Sequence, residues 1–93
     1  MASAEHRATS RVLDILEILS SSTGGYTLTE IAKQIDAPKS SIFPIIHTLE
    51  ERHYISMDSS NGKYSIGISA FAIGSTYVSS KSLLSHIHSA MNE

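Results

Sequence analysis

The sequence predicts a mainly α domain with a small β-hairpin, and three stretches carry that prediction. Two short amphipathic helical patterns meet within Thr27–Leu49, TLTEIAKQIDAPKSSIFPIIHTL, across a break at Asp36-Ala37-Pro38. Two alternating segments, Tyr54–Asp58 and Lys63–Ile66, then flank a turn cluster ending in Asn61-Gly62. A further apolar helical pattern runs from Ile68 to Val78. A first helix, a helix-turn-helix, a hairpin and one more helix, in that order, describe a winged helix-turn-helix followed by a linker helix.

Composition sets the bounds. Ninety-three residues hold one domain with a small core, and 41% apolar content is ordinary for a soluble globular chain. There is no cysteine, hence neither a disulfide framework nor a thiolate metal site, which suits a reducing cytoplasm. No long apolar run spans a membrane, and Met1–His6 lacks the apolar core of a signal peptide. No metal or cofactor is expected. The net charge of −2 weighs against nucleic acid, because DNA binding draws affinity from phosphate neutralisation. The distribution weighs the other way: Lys33, Lys39, Arg52 and Lys63 flank the two-helix unit or the hairpin. A locally basic face with modest affinity for an isolated copy follows.

Residues 1–9 are polar and expected to fray, with Arg7 as a candidate contact. Ser10 is the expected N-cap of the first helix. Val12, Leu13, Ile15, Leu16, Ile18 and Leu19 give that helix an apolar face broad enough for two partners, and Ser20–Gly25 ends it in a loop. Tyr26 leads into the helix pair. Thr27 and Glu30 have the spacing of a capping box, in which the hydroxyl takes a free helix amide and the carboxylate reaches back. Leu28, Ile31, Ala32 and Ile35 form one face. Asp36 tolerates the left-handed conformation that ends a helix, and Pro38 suits the first turn of the next. Ile42, Ile45, Ile46 and Leu49 repeat the helical spacing in that second helix.

Opposite this stripe stand Ser40, Ser41, Phe43, Pro44, His47 and Thr48. Hydroxyls and imidazole can bond base edges or phosphates, and an aromatic ring can press on a thymine methyl. Phe43 has no evident internal partner. Thr27 and Thr29 cap a helix N-terminus, where a phosphate can also bind. From periodicity alone, two packed helices are more simply a plain core hairpin, which many small helical domains share; the wing that follows shifts the balance. Its strands alternate, with Tyr64 and Ile66 on one face and Lys63 and Ser65 on the other, and Asn61-Gly62 is the favoured pair for a tight hairpin turn. Lys63 beside that turn is placed for a phosphate contact.

Gly67 breaks the second strand. Beyond it Ala70, Phe71, Ile73, Gly74, Tyr77 and Val78 crowd one side of a helix, and the small Ala70 and Gly74 admit another helix closely. A domain this size cannot bury that face as well as its core, so a partner subunit or a following domain is the expected cover. Ser79–Ser82 is a polar hinge, and Leu83, Leu84, Ile87, Ala90 and Met91 begin a further amphipathic helix with no end signal before Glu93. Residues 1–66 are thus expected to be the winged helix-turn-helix, 67–80 the linker helix, and 81–93 the first helix of a C-terminal domain that looks truncated. His86 and His88 lie about 200° apart on a helix and do not share a metal. No serine, histidine and acid arrangement marks a catalytic site.

With these residues in place the sequence resembles the DNA-binding domain of the IclR family of bacterial transcription regulators. The resemblance rests on Arg11-Val12-Leu13-Asp14-Ile15-Leu16, Leu28-Thr29-Glu30-Ile31-Ala32, Pro38-Lys39-Ser40-Ser41, Thr48-Leu49-Glu50-Glu51-Arg52 and Lys63-Tyr64-Ser65-Ile66-Gly67, in this order. Thr27, Thr29, Lys39, Ser40, Ser41, Phe43, Pro44, His47 and Lys63 are the candidate DNA-facing residues of the sequence itself, and the resemblance implies a palindromic operator for them. It implies a homodimer through Leu13, Ala70, Ile73, Gly74 and Tyr77, or a tetramer in the full-length protein. It also implies a C-terminal effector-binding domain, beginning at residues 81–93, for a small molecule. The chain departs from the family at Pro44, where a basic residue is usual, and at His53, where glycine is common. Two functions therefore stand side by side: sequence-specific DNA binding by a dimeric regulator, and a winged helix used for protein–protein interaction, which the net charge and Pro44 favour. An enzyme has no support in the sequence.

Overall fold

The computed structural model describes residues 5–79 of the chain. Its elements are α1 (Arg7–Ser20), α2 (Leu28–Gln34), α3 (Lys39–Glu51), β1 (Ile55–Asp58), β2 (Lys63–Ile66) and α4 (Ile68–Ser79). The helix expected from Leu83 onward lies outside the described residues.

Helix α1 starts earlier than its sequence suggests. The N-cap is His6, whose ring nitrogen accepts from the Thr9 amide at 3.4 Å, and not Ser10. Ser10 lies inside the helix, with its amide donating to the His6 carbonyl at 2.9 Å and its hydroxyl to Glu5 at 3.1 Å. Arg7–Thr9 therefore form the first turn instead of a frayed end. An imidazole acceptor does the work that the sequence reading gave to a hydroxyl. The broad apolar face divides: Ile15 and Leu19 are buried, Val12, Leu16 and Ile18 pack at the core edge, and Leu13 is 54% exposed.

The helix pair forms as its sequence dictates. Thr27 Oγ1 accepts from the Glu30 amide at 3.2 Å, and Glu30 Oε1 accepts from the Thr27 amide at 2.9 Å, a complete capping box. Asp36 has φ 55°, and the Ala37 amide donates back to the Ala32 carbonyl at 3.0 Å, closing α2. Pro38 stands at the N-cap of α3, one position ahead of the expected first turn. Its carbonyl accepts from the amides of Ser41 and Ile42. Ile42, Ile46 and Leu49 point inward from α3, and Pro44 sits within the helix without ending it. At the far end His53 takes φ 67°, which accounts for a preference for glycine at such a position.

Strands β1 and β2 pair antiparallel, Ile55 opposite Ile66 and Asp58 opposite Lys63. The connection is a four-residue loop, Ser59–Gly62, and not the two-residue turn that Asn61-Gly62 suggests. Only Gly62 has positive φ, at 70°, whereas the two-residue turn needs it at both positions. The Asp58 carboxylate decides this, accepting from both the amide and the hydroxyl of Ser60, while the Asp58 carbonyl accepts from the Gly62 amide at 2.7 Å. Those two Ser60 bonds hold the Asp58 carboxyl below its ordinary range.

A third backbone edge joins the wing. Tyr26 and Tyr64 exchange amide-to-carbonyl bonds of 3.0 and 2.7 Å, an isolated bridge that ties the entry of α2 to β2. Gly25, at φ 84°, lies so close to the Tyr64 carbonyl that a side chain there would overlap it. Tyr64 is buried, and burial, with the Glu50 carboxylate second, raises its phenol pKa.

One cluster gathers Ile15, Leu19, Ile31, Ala32, Ile42, Ile46, Leu49, Ile55 and Tyr64 from α1, α2, α3 and both strands. Helix α4 contributes nothing to it. Gly67 is tight against the His53 backbone, and the Ser69 amide donates to the His53 carbonyl at 2.8 Å, so α4 leaves from the end of α3. Ile68, Phe71, Ile73, Tyr77 and Val78 are exposed along it.

Candidate nucleic-acid interface

Burial of Ile42, Ile46 and Leu49 fixes the rotation of α3 about its axis, and so fixes what faces outward. Lys39, Ser40, Ser41, Phe43, Pro44, His47 and Thr48 are all exposed. On that surface Ser40, Phe43 and Pro44, His47 and Glu51 follow one another at helical spacing.

Two contacts organise the surface. Lys39 Nζ donates to Thr29 Oγ1 at 3.1 Å, joining the first turn of α3 to the first turn of α2. Lys39 and Thr29 thus form one polar cluster across the turn. The Phe43 and His47 rings stack, with centroids 6.3 Å apart and planes at 26°. The sequence reading left Phe43 without a partner; in the folded chain its partner is the residue one turn on, and the i, i+4 spacing of two flat rings was the available signal. His47 Nε2 also lies 3.6 Å from Glu51 Oε1, so the imidazole lies between a ring and a carboxylate.

Pro44 has no amide to donate to the Ser40 carbonyl. The Thr48 hydroxyl donates to the Pro44 carbonyl at 3.0 Å. Thr27 spends its oxygen on the α2 cap, and Thr29 beside it stays exposed. Lys63 starts β2 opposite Asp58, so an opposite charge stands across the strand from it. Leu13, Ile73, Gly74 and Tyr77 are exposed and Ala70 half-buried, away from the core of the domain. Sequence reasoning missed the Tyr26 bridge and the Glu51 neighbour of His47.

Among the described residues no group of three histidine or acidic side chains is placed to hold a metal ion. Likewise among them, no helix is long and apolar enough to cross a membrane. An open groove lined by Val12, Pro44, Ile45, Thr48 and Leu49 runs between α1 and α3 and is almost wholly apolar.

Three helices around a small core, with the second and third joined by a tight turn and an antiparallel wing behind them, define a winged helix-turn-helix. Residues 8–59, more than half of the chain, match the IclR helix-turn-helix domain, and the chain belongs to that family of DNA-binding transcription regulators. It is similar to the transcriptional repressor IclR of Escherichia coli K12, 30% identical over 87 residues, covering 94% of this chain and 32% of the relative. It is similar also to the HTH-type transcriptional repressor AllR of Klebsiella pneumoniae, at 34% identity over 85% of this chain and 29% of that protein. Among solved structures, a transcriptional regulator from Alicyclobacillus acidocaldarius superposes with a TM-score of 0.71 at 26% identity, over 76% of this chain and 29% of that one. The chain thus spans about a third of the length of the curated relatives it matches.

Proposed function

We propose that the chain is the operator-binding domain of a dimeric bacterial transcription regulator that works in the cytoplasm. The outer face of α3 enters the major groove, and the wing lies along the backbone. The observation that carries this reading is the exposed, partly pre-ordered set Ser40, Ser41, Phe43 and His47 on the second helix of a family helix-turn-helix. Ser40, Ser41, Phe43 and His47 read bases, with Pro44 among them; Thr27, Thr29, Lys39 and Lys63 meet phosphates. A second copy docks on Leu13, Ala70, Ile73, Gly74 and Tyr77, which supports a palindromic operator with matching half-sites. In the full-length protein, a C-terminal domain responds to a small-molecule effector, and copies form dimers or tetramers.

A titration of duplex DNA from upstream of its own gene, at low and moderate salt, tests the reading. His47→Ala is expected to weaken binding and relax base preference. Lys63→Ala is expected to weaken binding to all sequences alike and to lower the salt slope by about 1. Equal losses on operator and random DNA for both variants would remove His47 from base readout. The net charge of −2 and the stretch Ser40–Glu51, which has no lysine or arginine, favour the second reading, a protein–protein module. Binding no tighter than to random DNA would select it.

A further inference from the structure

The middle of α3 carries an unusual surface for a helix in the major groove. Lys39 opens the helix and Arg52 follows it; no lysine or arginine lies between them. The commonest specific contact, a guanidinium or ammonium on guanine, therefore has no donor along the stripe from Ser40 to Glu51. What stands there instead is apolar. Phe43 is 53% exposed, and Pro44 beside it presents a ring with no donor.

Phe43 is also held. Its ring stacks on His47, and His47 in turn lies 3.6 Å from the Glu51 carboxylate. A ring ordered before binding loses less freedom on contact. Among the four standard bases, the largest apolar group in the major groove is the C5-methyl of thymine, and it matches such a surface.

We propose that Phe43 is a specificity-determining residue of α3 that reads the thymine methyl group, with Pro44 widening the apolar contact and His47 lying beside the ring. This rests on the DNA-binding reading above. Placed over a methyl, Phe43 discriminates by burial and not by hydrogen bonding. Removing one buried methyl is worth about 0.8 kcal/mol, or roughly a fourfold loss of affinity.

The test uses the 93-residue chain and a duplex that it enriches from a random pool. Each thymine is replaced in turn by deoxyuridine, which keeps every hydrogen bond and removes the methyl. For the unaltered chain, one or two positions are expected to lose roughly fourfold in affinity each. For Phe43→Ala, which takes away an exposed ring and leaves the helical circular dichroism unchanged, the same replacements are expected to cost nothing. Phe43→Leu, apolar and smaller, retains part of the dependence. The proposal is overturned if no deoxyuridine position weakens the unaltered chain, or if the loss is the same in Phe43→Ala. It is also overturned if Phe43→Ala changes only self-association in sedimentation, since a second copy would then cover the ring. Failure to enrich any sequence would instead bring down the DNA reading itself, and this inference with it.

Discussion

Helices α3 and α4 are both rich in apolar residues, and the fold treats them in opposite ways. In α3, Ile42 and Ile46 are fully buried, and the opposite face is wet. In α4, Ile68 and Phe71 are more than two-thirds exposed, and Ile73, Tyr77 and Val78 are about half exposed. The apolar residues of α3 recur with helical period on one stripe, so one rotation buries them all. Those of α4 do not keep to the single side that the sequence suggests but sit nearly all round it, and no rotation against a domain this small would cover them. Hydrophobic content alone therefore does not locate the core; periodicity does. An all-round apolar helix needs a surface beyond its own domain, which supports assigning α4 to a partner and the outer face of α3 to DNA.

Three substitutions bear on this contrast. The largest effect belongs to Ile46→Ala, which empties a fully buried site shared by the cluster. A loss of about 2–5 kcal/mol is expected in urea unfolding, enough to unfold much of a domain of this size. A loss below 1 kcal/mol would mean that the core is not anchored on α3. Next, Thr27→Ala removes the hydroxyl acceptor of the α2 capping box. It is expected to cost about 1 kcal/mol in the same measurement, with DNA base preference retained. The smallest change in stability is expected for Ile73→Ser on α4, within about 0.5 kcal/mol for the monomer. Its readout is sedimentation, where the monomer fraction should rise. An unchanged sedimentation profile would take α4 out of the dimer contact.

Much of this architecture is legible in the residues because it is local. The Ile42, Ile46, Leu49 spacing, the Thr27–Glu30 box and the left-handed Asp36 each depend on neighbours within a turn or two. The misses have distinct physical sources. The Tyr26–Tyr64 bridge joins single residues far apart in sequence, so no alternation announces it. The wing loop opens to four residues because the Asp58 carboxylate captures Ser60, a local bond that outweighs the Asn61-Gly62 signal. At the N-terminus the imidazole of His6 caps α1, a role that residue preferences assign first to hydroxyl and carboxylate side chains such as Ser10. At the candidate site, the identity of the outward residues of α3 was readable from periodicity, but the Phe43–His47 stack depends on side-chain rotamers.

The division of labour between α3 and α4 is tested most directly by following backbone amide chemical shifts of the 93-residue chain as duplex DNA is added. Shifts are expected at Thr29, from Lys39 to His47, and at Lys63, with the amides from Phe71 to Val78 unmoved. Perturbation confined to α4, with the α3 amides silent, would contradict the assignment of α3 to DNA.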